Sequence, residues 1–551
     1  PIYTRGNVGE AFPDVISPMS GSLMLEASTR SQTRFFLATG ALSRAQVVDP
    51  RNAVFAQFGG YLYANVSMGR IAAVRAPGLS IDDLDAQYGG VGVLPPYTAR
   101  RGDRDLLATV RLGRFASRGF RRRDAERARR ARAEVDVWIA SLSPVDRAAN
   151  DELVERARRA SHWFDRLLVE MMTVTLHAGS ARVLIERLAT RAGEADAPNA
   201  ITSGLGDVAS AGPAAALWEL GRSVAGSTDL TAHFDRPIVD LLERLRADDA
   251  CAAFVDAFES FLRTFGFHGA DELELSSPKW GTDPTLALGI VERLRHAPAD
   301  RAPEVAARRL ARARVEAADR VASRLPGPSR LVFRLAVRNA ALYARAREAT
   351  KAALVRALYE SRLALNELAT RHGIARDDIY LVLEDELDLL EDGVDLTERI
   401  AKRGEQRATL RARRPPFWFE HELPDPSTWP LRFRSEPVAA EGATPSRLGG
   451  LGVSDGVATG RARIIVDPND AHDLEPHEIL VAPQTDPAWT PLFLAAAGVV
   501  VEHGAVMSHA AIVARELGIP AVVGVHSATT LIPTGANVTI DGSSGEVTVS
   551  R

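Results

Sequence analysis

Seven prolines fall within residues 413–445: Pro415, Pro416, Pro424, Pro426, Pro430, Pro437 and Pro445. Each lacks a backbone donor and fixes φ, so no long helix survives that density, and the segment predicts a stiff, extended linker. It divides a chain of 551 residues, too long for one hydrophobic core, into a long part and a short one. Over residues 98–410 apolar side chains recur three and four apart among Ala, Arg, Leu and Glu, the period of amphipathic helices. Residues 335–368 give the clearest long helix, and Gly204-Leu205-Gly206 and Pro326-Gly327-Pro328 interrupt the helical pattern. Residues 1–94 have another texture, short apolar runs mixed with Gly and Pro, and residues 55–63 read as strand, turn, strand. Beyond the prolines, β-branched runs at 462–466, 479–481, 498–501, 521–523 and 538–540 alternate with helical stretches and Gly- or Pro-containing turns. That is the pattern of one compact α/β domain. The expected layout is therefore a large, mostly helical domain over 1–412 with a mixed, strand-containing start, a linker over 413–446, and a small α/β domain over 447–551.

Composition narrows the function classes. The net charge of -4 provides no global basic field for nucleic acid. The most basic tract, residues 111–132, reads either as a polyphosphate or nucleic-acid surface or as a solvated helix face balanced by Asp124, Glu126 and Glu134; sparse aromatics favour the solvated face. A single cysteine, Cys251, excludes a disulfide framework and any multi-cysteine metal site, and suits a reducing cytosol. No apolar run approaches the roughly 20 residues of a membrane helix. The start, Pro1-Ile2-Tyr3-Thr4-Arg5, has neither a signal-peptide pattern nor an initiator Met, as in a processed chain or a piece of a longer one.

The chemically informative string is Glu502-His503-Gly504-Ala505-Val506-Met507-Ser508-His509-Ala510-Ala511-Ile512-Val513-Ala514-Arg515-Glu516-Leu517-Gly518-Ile519-Pro520. An apolar strand runs into a small-residue turn and then a helix, with Ser508 as a suitable N-cap and Gly518 as its stop. His509 falls in the first turn, where unpaired amides and the helix dipole favour an attached anion. A neutral imidazole is also a competent nucleophile toward phosphorus. By position alone, such a histidine as readily caps or packs.

The whole string closely resembles the phosphohistidine motif of the phosphoenolpyruvate-utilising enzymes, among them rifampin-phosphotransferase-like proteins. The resemblance implies that His509 is the phosphorylated residue, with Gly504 and Ser508 supporting its loop. Thr485-Asp486-Pro487-Ala488-Trp489-Thr490-Pro491 resembles a second signature of that domain, and Asp541-Gly542 its closing strand and turn. Ala505 departs from the usual second Gly, and His503, at a variable position, reads as structural. Weaker resemblances to the substrate domain of the same enzymes run through the longer part. They comprise Thr4-Arg5-Gly6-Asn7-Val8-Gly9-Glu10 with Ser17-Pro18, Tyr61-Leu62-Tyr63-Ala64-Asn65, Gly266-Phe267-His268-Gly269-Ala270-Asp271-Glu272 and Arg347-Glu348-Ala349-Thr350-Lys351. His268 stands where the family often has Arg. Glu272 reads as a substrate-orienting group or a helix brace.

Arg347 and Lys351, four apart, share a helix face and repel unless Glu348, other acids or a bound anion compensates. They read as solvated cations or, with the resemblance, as groups that steady a transferring phosphoryl, with Glu348 a candidate base. The resemblance implies an α/β swivel domain that carries a phosphoryl group on His509 to a hydroxyl of a small organic acceptor. The family charges its histidine with an ATP-grasp domain, splitting ATP to AMP and phosphate. The first residues here already resemble the substrate domain and no P-loop string occurs, so ATP and Mg2+ are expected through a separate or missing ATP-grasp partner. No metal ligands are assigned to this chain. The expectation is a cytoplasmic phosphotransferase component without membrane or nucleic-acid partners. Its rivals are a phosphocarrier serving another protein, whose helical domain would lack an apolar pocket, and a non-catalytic scaffold or regulator.

Overall fold

The computed structural model describes the chain except residues 7, 50–51, 77–79, 90–93, 207–208, 210–211, 298, 300–301, 432–446, 467–473, 476, 486–488, 505–507 and 551. It is mostly helical with an α/β layer near the carboxy terminus, as the sequence predicts. There are two compact units. The first comprises residues 1–183, 273–276 and 338–442, the second residues 184–272, 277–337 and 443–551.

The first unit combines long helices with a four-stranded antiparallel sheet. Its strands are β1 (Ile2–Thr4), β2 (Phe55–Phe58), β3 (Tyr61–Asn65) and β4 (Trp418–Glu420), in the order β2-β3-β1-β4. Gly59 and Gly60, with φ of 53° and 79°, make the two-residue hairpin between β2 and β3, a turn that needs positive φ at both positions. Tyr3, Tyr61, Tyr63, Phe419 and Trp429 pack as a buried aromatic cluster. β4 lies in the segment read as an extended linker, yet it pairs with β1 through Tyr3 and Phe419. The prolines around it flank the Trp418–Glu420 strand without interrupting it, so its donors stay available for pairing. The second half of that segment, residues 432–446, lies outside the described residues.

A 22-residue helix, Pro18–Thr39, is fixed at one end by Ser17 and Pro18 and at the other by Gly40 at φ 71°. The buried Glu274 accepts from the hydroxyls of Ser17 at 2.6 Å and Ser20 at 2.9 Å, tying that start down. The helix Asn150–Arg191 is long and apolar enough in one window to pass as a membrane span. However, Leu153, Ala157, Ala160, Leu167 and Val174 are fully buried in this unit's packing, which is how a core helix behaves.

The second unit holds an eight-stranded sheet. Its strands are β5 (Arg447–Gly449), β6 (Leu451–Ser454), β7 (Val457–Ile464), β8 (Ile479–Ala482), β9 (Gly498–Val501), β10 (Ala521–Val523), β11 (Asn537–Asp541) and β12 (Glu546–Ser550). Their order is β5-β12-β11-β7-β8-β9-β10-β6. The middle strands β7, β8, β9 and β10 run parallel, and the others pair antiparallel. Successive residues of a strand face opposite sides. Leu480, Val499, Val501, Ala521 and Val523 therefore join one core, and Ile479, Val481, Val500 and Val522 another. The first core continues through Leu217, Phe254, Phe258, Trp280 and Leu288, so the helices around residues 212–295 cover that face of the sheet. Burial on both faces explains why these parallel strands are apolar throughout.

Candidate functional site

β9 lies between β8 and β10, and the chain leaves its carboxyl end toward His509. Backbone bonds hold that exit in place: Glu502 N donates to Ala482 O at 3.0 Å and His503 N to Pro483 O at 2.9 Å. The buried Glu502 carboxylate accepts from Thr529 N at 2.7 Å and Thr529 Oγ1 at 2.5 Å. Gly504 is buried, and a Cβ there would stand 3.0 Å from Val523 Cβ and 3.2 Å from Ser508 Oγ. Ser508, extended at φ -69° and ψ 165°, accepts from Ala511 N at 3.3 Å and caps the helix His509–Leu517. Gly518 ends that helix at φ 65°.

His509 is thus the first residue of a capped helix, on its positive end, and is 7% exposed. Thr485, itself buried, puts its hydroxyl 3.4 Å from Nδ1 of His509, a long contact whose donor depends on the ring tautomer. Asp486, beside Thr485 in the sequence, lies outside the described residues, as do Ala505 and Asn7. Two motif residues without a role in the sequence reading anchor this helix from its other end. Arg515 Nε donates to Val453 O at 2.6 Å, and Glu516 Oε1 accepts from Leu205 N at 3.1 Å, within the turn containing Gly204 and Gly206. Their signal was present, since a buried charged pair in an apolar helix must find partners.

His268 and Glu272 lie in the same unit. Both are buried, and Nδ1 of His268 is hydrogen-bonded to Glu272 Oε1. The buried Lys279 donates from Nζ to the carbonyls of Ala270 at 3.0 Å and Asp271 at 2.9 Å, where Asp271 takes φ 47°. Trp280 N closes the segment onto His268 O at 2.9 Å.

Arg347, Glu348 and Lys351 belong to the first unit, on the helix Gly327–Arg371. Glu348, 6% exposed, pairs with the first of the two cations, 2.8 Å from Arg347 NH1. Thr350, fully buried between them, donates to Ala346 O at 2.7 Å and accepts from Arg132 NH1 at 3.3 Å.

The first unit also contains a cavity of about 310 Å3, lined by Arg34, Arg118, Arg127 and Arg166 together with Phe35 and Phe115. Glu170, 2% exposed, anchors two of these guanidiniums, at 2.7 Å from Arg127 Nε and 3.1 Å from Arg166 NH1. Arg118 lies over the Phe115 ring, 5.4 Å from its centroid. The buried His177 also stacks on Phe115, and its Nε2 is 2.8 Å from Asp124 Oδ2. That hydrogen bond holds the Asp124 carboxyl below its usual value, with Arg127 and Arg118 adding to the effect. Burial, and then the Asp124 charge, push the Tyr343 phenol up to about 12. The basic tract is balanced as the sequence suggested, with Asp124 3.4 Å from Arg127 and Glu126 2.6 Å from Arg129. Its turn toward a cavity was not legible, because the lining comes from several helices.

Residues 170–348 match the family described as rifampicin phosphotransferase fourth domain. Residues 474–545 match the family described as PEP-utilising enzyme, mobile domain, and include His509 and Thr485. An uncharacterised protein of Mycobacterium tuberculosis is 28% identical over 590 aligned residues, covering 100% of this chain and 61% of that protein. A rifampicin phosphotransferase of Streptomyces sp is 31% identical over 446 residues, covering 77% of this chain and 49% of that enzyme. Another rifampicin phosphotransferase, from Bacillus cereus, is 51% identical over 100 residues, 18% of this chain and 11% of that enzyme. The chain thus spans at most about three fifths of the length of these relatives.

Proposed function

The chain is related to the phosphoenolpyruvate-utilising enzymes, and from that premise we propose that it is the phosphoryl-carrying and acceptor-binding part of a phosphotransferase. The observation that carries the reading is the placement of His509 as first residue of a capped helix at the exit of a parallel strand. There, a ring nitrogen of His509 attacks the β-phosphorus of ATP held by an ATP-grasp partner with Mg2+. AMP and, after hydrolysis of the terminal link, phosphate are released. An acceptor hydroxyl then attacks the phosphorus, the P–N bond breaks, the imidazole leaves, and the hydroxyl proton passes to a base. Ser508, Gly504 and Thr485 hold the histidine loop. Arg347 and Lys351 steady the transferring group, and Glu348 keeps Arg347 oriented for that task.

A small hydroxylated acceptor is favoured over a protein acceptor by the cavity of about 310 Å3, which has the size of a small-molecule site. Its two phenyl rings and four guanidiniums suit an aromatic or anionic organic molecule. We place the protein in the cytoplasm, in keeping with its single cysteine. The test mixes the chain with an ATP-grasp partner and ATP labelled at the β-phosphate, with His509→Ala as control. Acid-labile, base-stable label on the wild type alone is expected. No label with a demonstrably active partner removes the carrier mechanism and leaves the scaffold reading.

A further inference from the structure

The only cysteine of the chain, Cys251, is fully buried at the end of a short turn, Asp249–Cys251, in the second unit. Asp248 caps that turn, its Oδ1 accepting from Ala250 N at 3.0 Å. The other carboxylate oxygen, Oδ2, lies 2.9 Å from Nε2 of His233, a residue in the last turn of the helix Thr228–Phe234. One donor atom from each of His233, Asp248 and Cys251 lies within 4.8 Å of the other two.

A buried thiol ordinarily serves as a small apolar filler. The convergence of three different donor types argues for more here. Nδ1 of His233 is buried with no hydrogen-bond partner among the described residues. No protein group at Nδ1 therefore fixes the ring tautomer, and Nε2, the atom that faces Asp248, can offer its lone pair to a cation instead of donating to the carboxylate.

We propose that His233, Asp248 and Cys251 form a binding site for a borderline-soft divalent cation of the zinc type. The donor set decides the class of metal: sulfur with imidazole suits zinc or cobalt, whereas magnesium and calcium take oxygen ligands. Bonds of about 2.0–2.3 Å put tetrahedral donors roughly 3.3–3.8 Å apart, so the triangle needs only side-chain adjustment to close. On binding, the thiol gives up its proton to solvent, and the imidazole–carboxylate hydrogen bond is exchanged for metal bonds. Thiolate and carboxylate together neutralise the dication, which lowers the cost of holding it beside an apolar core. The side chains of His233 and Asp248 are 18% and 39% exposed, which leaves an entry path and a fourth position for water. Occupied, the site clips the helix Thr228–Phe234 to the helix Ala252–Phe265, which follows Cys251 directly.

The test uses the untagged full chain, stripped with a chelator and titrated with cobalt(II). Because Cys251 is the only cysteine, thiolate-to-cobalt charge-transfer absorption reports on that side chain alone. One equivalent of cobalt, displaced by zinc, is expected, with the band lost in Cys251→Ser. Asp248→Asn keeps the cap, since Asn caps as well as Asp, and is expected to weaken cobalt binding on the order of tenfold or more. This variant keeps the test open should Cys251→Ser misfold. Absence of the band in the folded wild type, or unchanged affinity in Asp248→Asn, overturns the proposal.

Discussion

Replacing Gly504 by Ala tests how tightly the histidine loop is built. The added Cβ would stand 3.0 Å from Val523 Cβ and 3.2 Å from Ser508 Oγ, both inside ordinary contact. The first neighbour is fixed to the central strand β10, where both faces are packed, and cannot retreat. The second is a rotatable hydroxyl, so Ser508 gives way and releases Ala511 N, a lost cap of about 1 kcal/mol. Residual overpacking against Val523 adds about 1–2 kcal/mol, for a total of about 2–3 kcal/mol. Ser508→Ala alone should cost only the cap, about 1 kcal/mol. In the double variant the cap is already gone and its oxygen no longer obstructs the methyl group. The combined loss should therefore fall short of the sum by about 1 kcal/mol. Hydrogen exchange by mass spectrometry over the helix His509–Leu517 reads the opening free energy locally. Additivity within about 0.3 kcal/mol would refute the reasoning, because the two sites would then not share the cap.

Gly542→Ala should be severe, about 3 kcal/mol or more, because its Cβ would fall 1.8 Å from Ser454 O, a backbone atom. Gly449→Ala, which meets nothing within 4 Å, serves as the control in urea unfolding. Arg347→Ala leaves Glu348 buried without its guanidinium and should cost about 2 kcal/mol, with part recovered when Glu348 is also made Ala. Thermal unfolding of the two variants checks this. Hydrogen bonds from Arg403 hold the Glu386 carboxyl at about 2, below its ordinary 4.5. A depressed carboxylate stabilises the fold above its unfolded value. The contribution, about 1–2 kcal/mol, should be intact above pH 4.5 and fade as pH falls toward 2. Urea midpoints across that range should fall less steeply in Glu386→Gln.

Much of the histidine helix was legible because its ends carry local chemistry. Ser508 and Gly518 fix its limits through cap bonds and positive φ, which a sequence states directly. The strands β7 to β11 announced themselves as β-branched runs. β6 did not, because Gly452 lies within it and Gly450 just before it. A Cβ at either would fall 2.6 Å from a backbone oxygen, so these glycines allow close packing in what reads as a turn. The helix Pro18–Thr39 was hidden differently. Its buried face carries Ser20, Ser28, Ser31 and Thr39, which break the apolar stripe yet find internal partners, as Ser31 Oγ does with Ala27 O at 2.6 Å. The pairing of β4 with β1 joins residues some four hundred apart, and no local pattern encodes it. The cavity beside Phe115 and the buried Asp124–His177 pair are likewise tertiary, assembled from helices that individually look amphipathic and ordinary. The site residues that sequence resemblance grouped together divide between the two units, His509 in one and Arg347, Glu348 and Lys351 in the other.

The most direct measurement of the central claim is to locate the phosphoryl group. The chain is incubated with ATP and an active ATP-grasp partner, digested at alkaline pH, and sequenced by tandem mass spectrometry under electron-transfer fragmentation. The account predicts one phosphoryl group, on His509. A phosphoryl group on His503 instead, or an unmodified His509 in a chain that still passes phosphate to an acceptor, would contradict it.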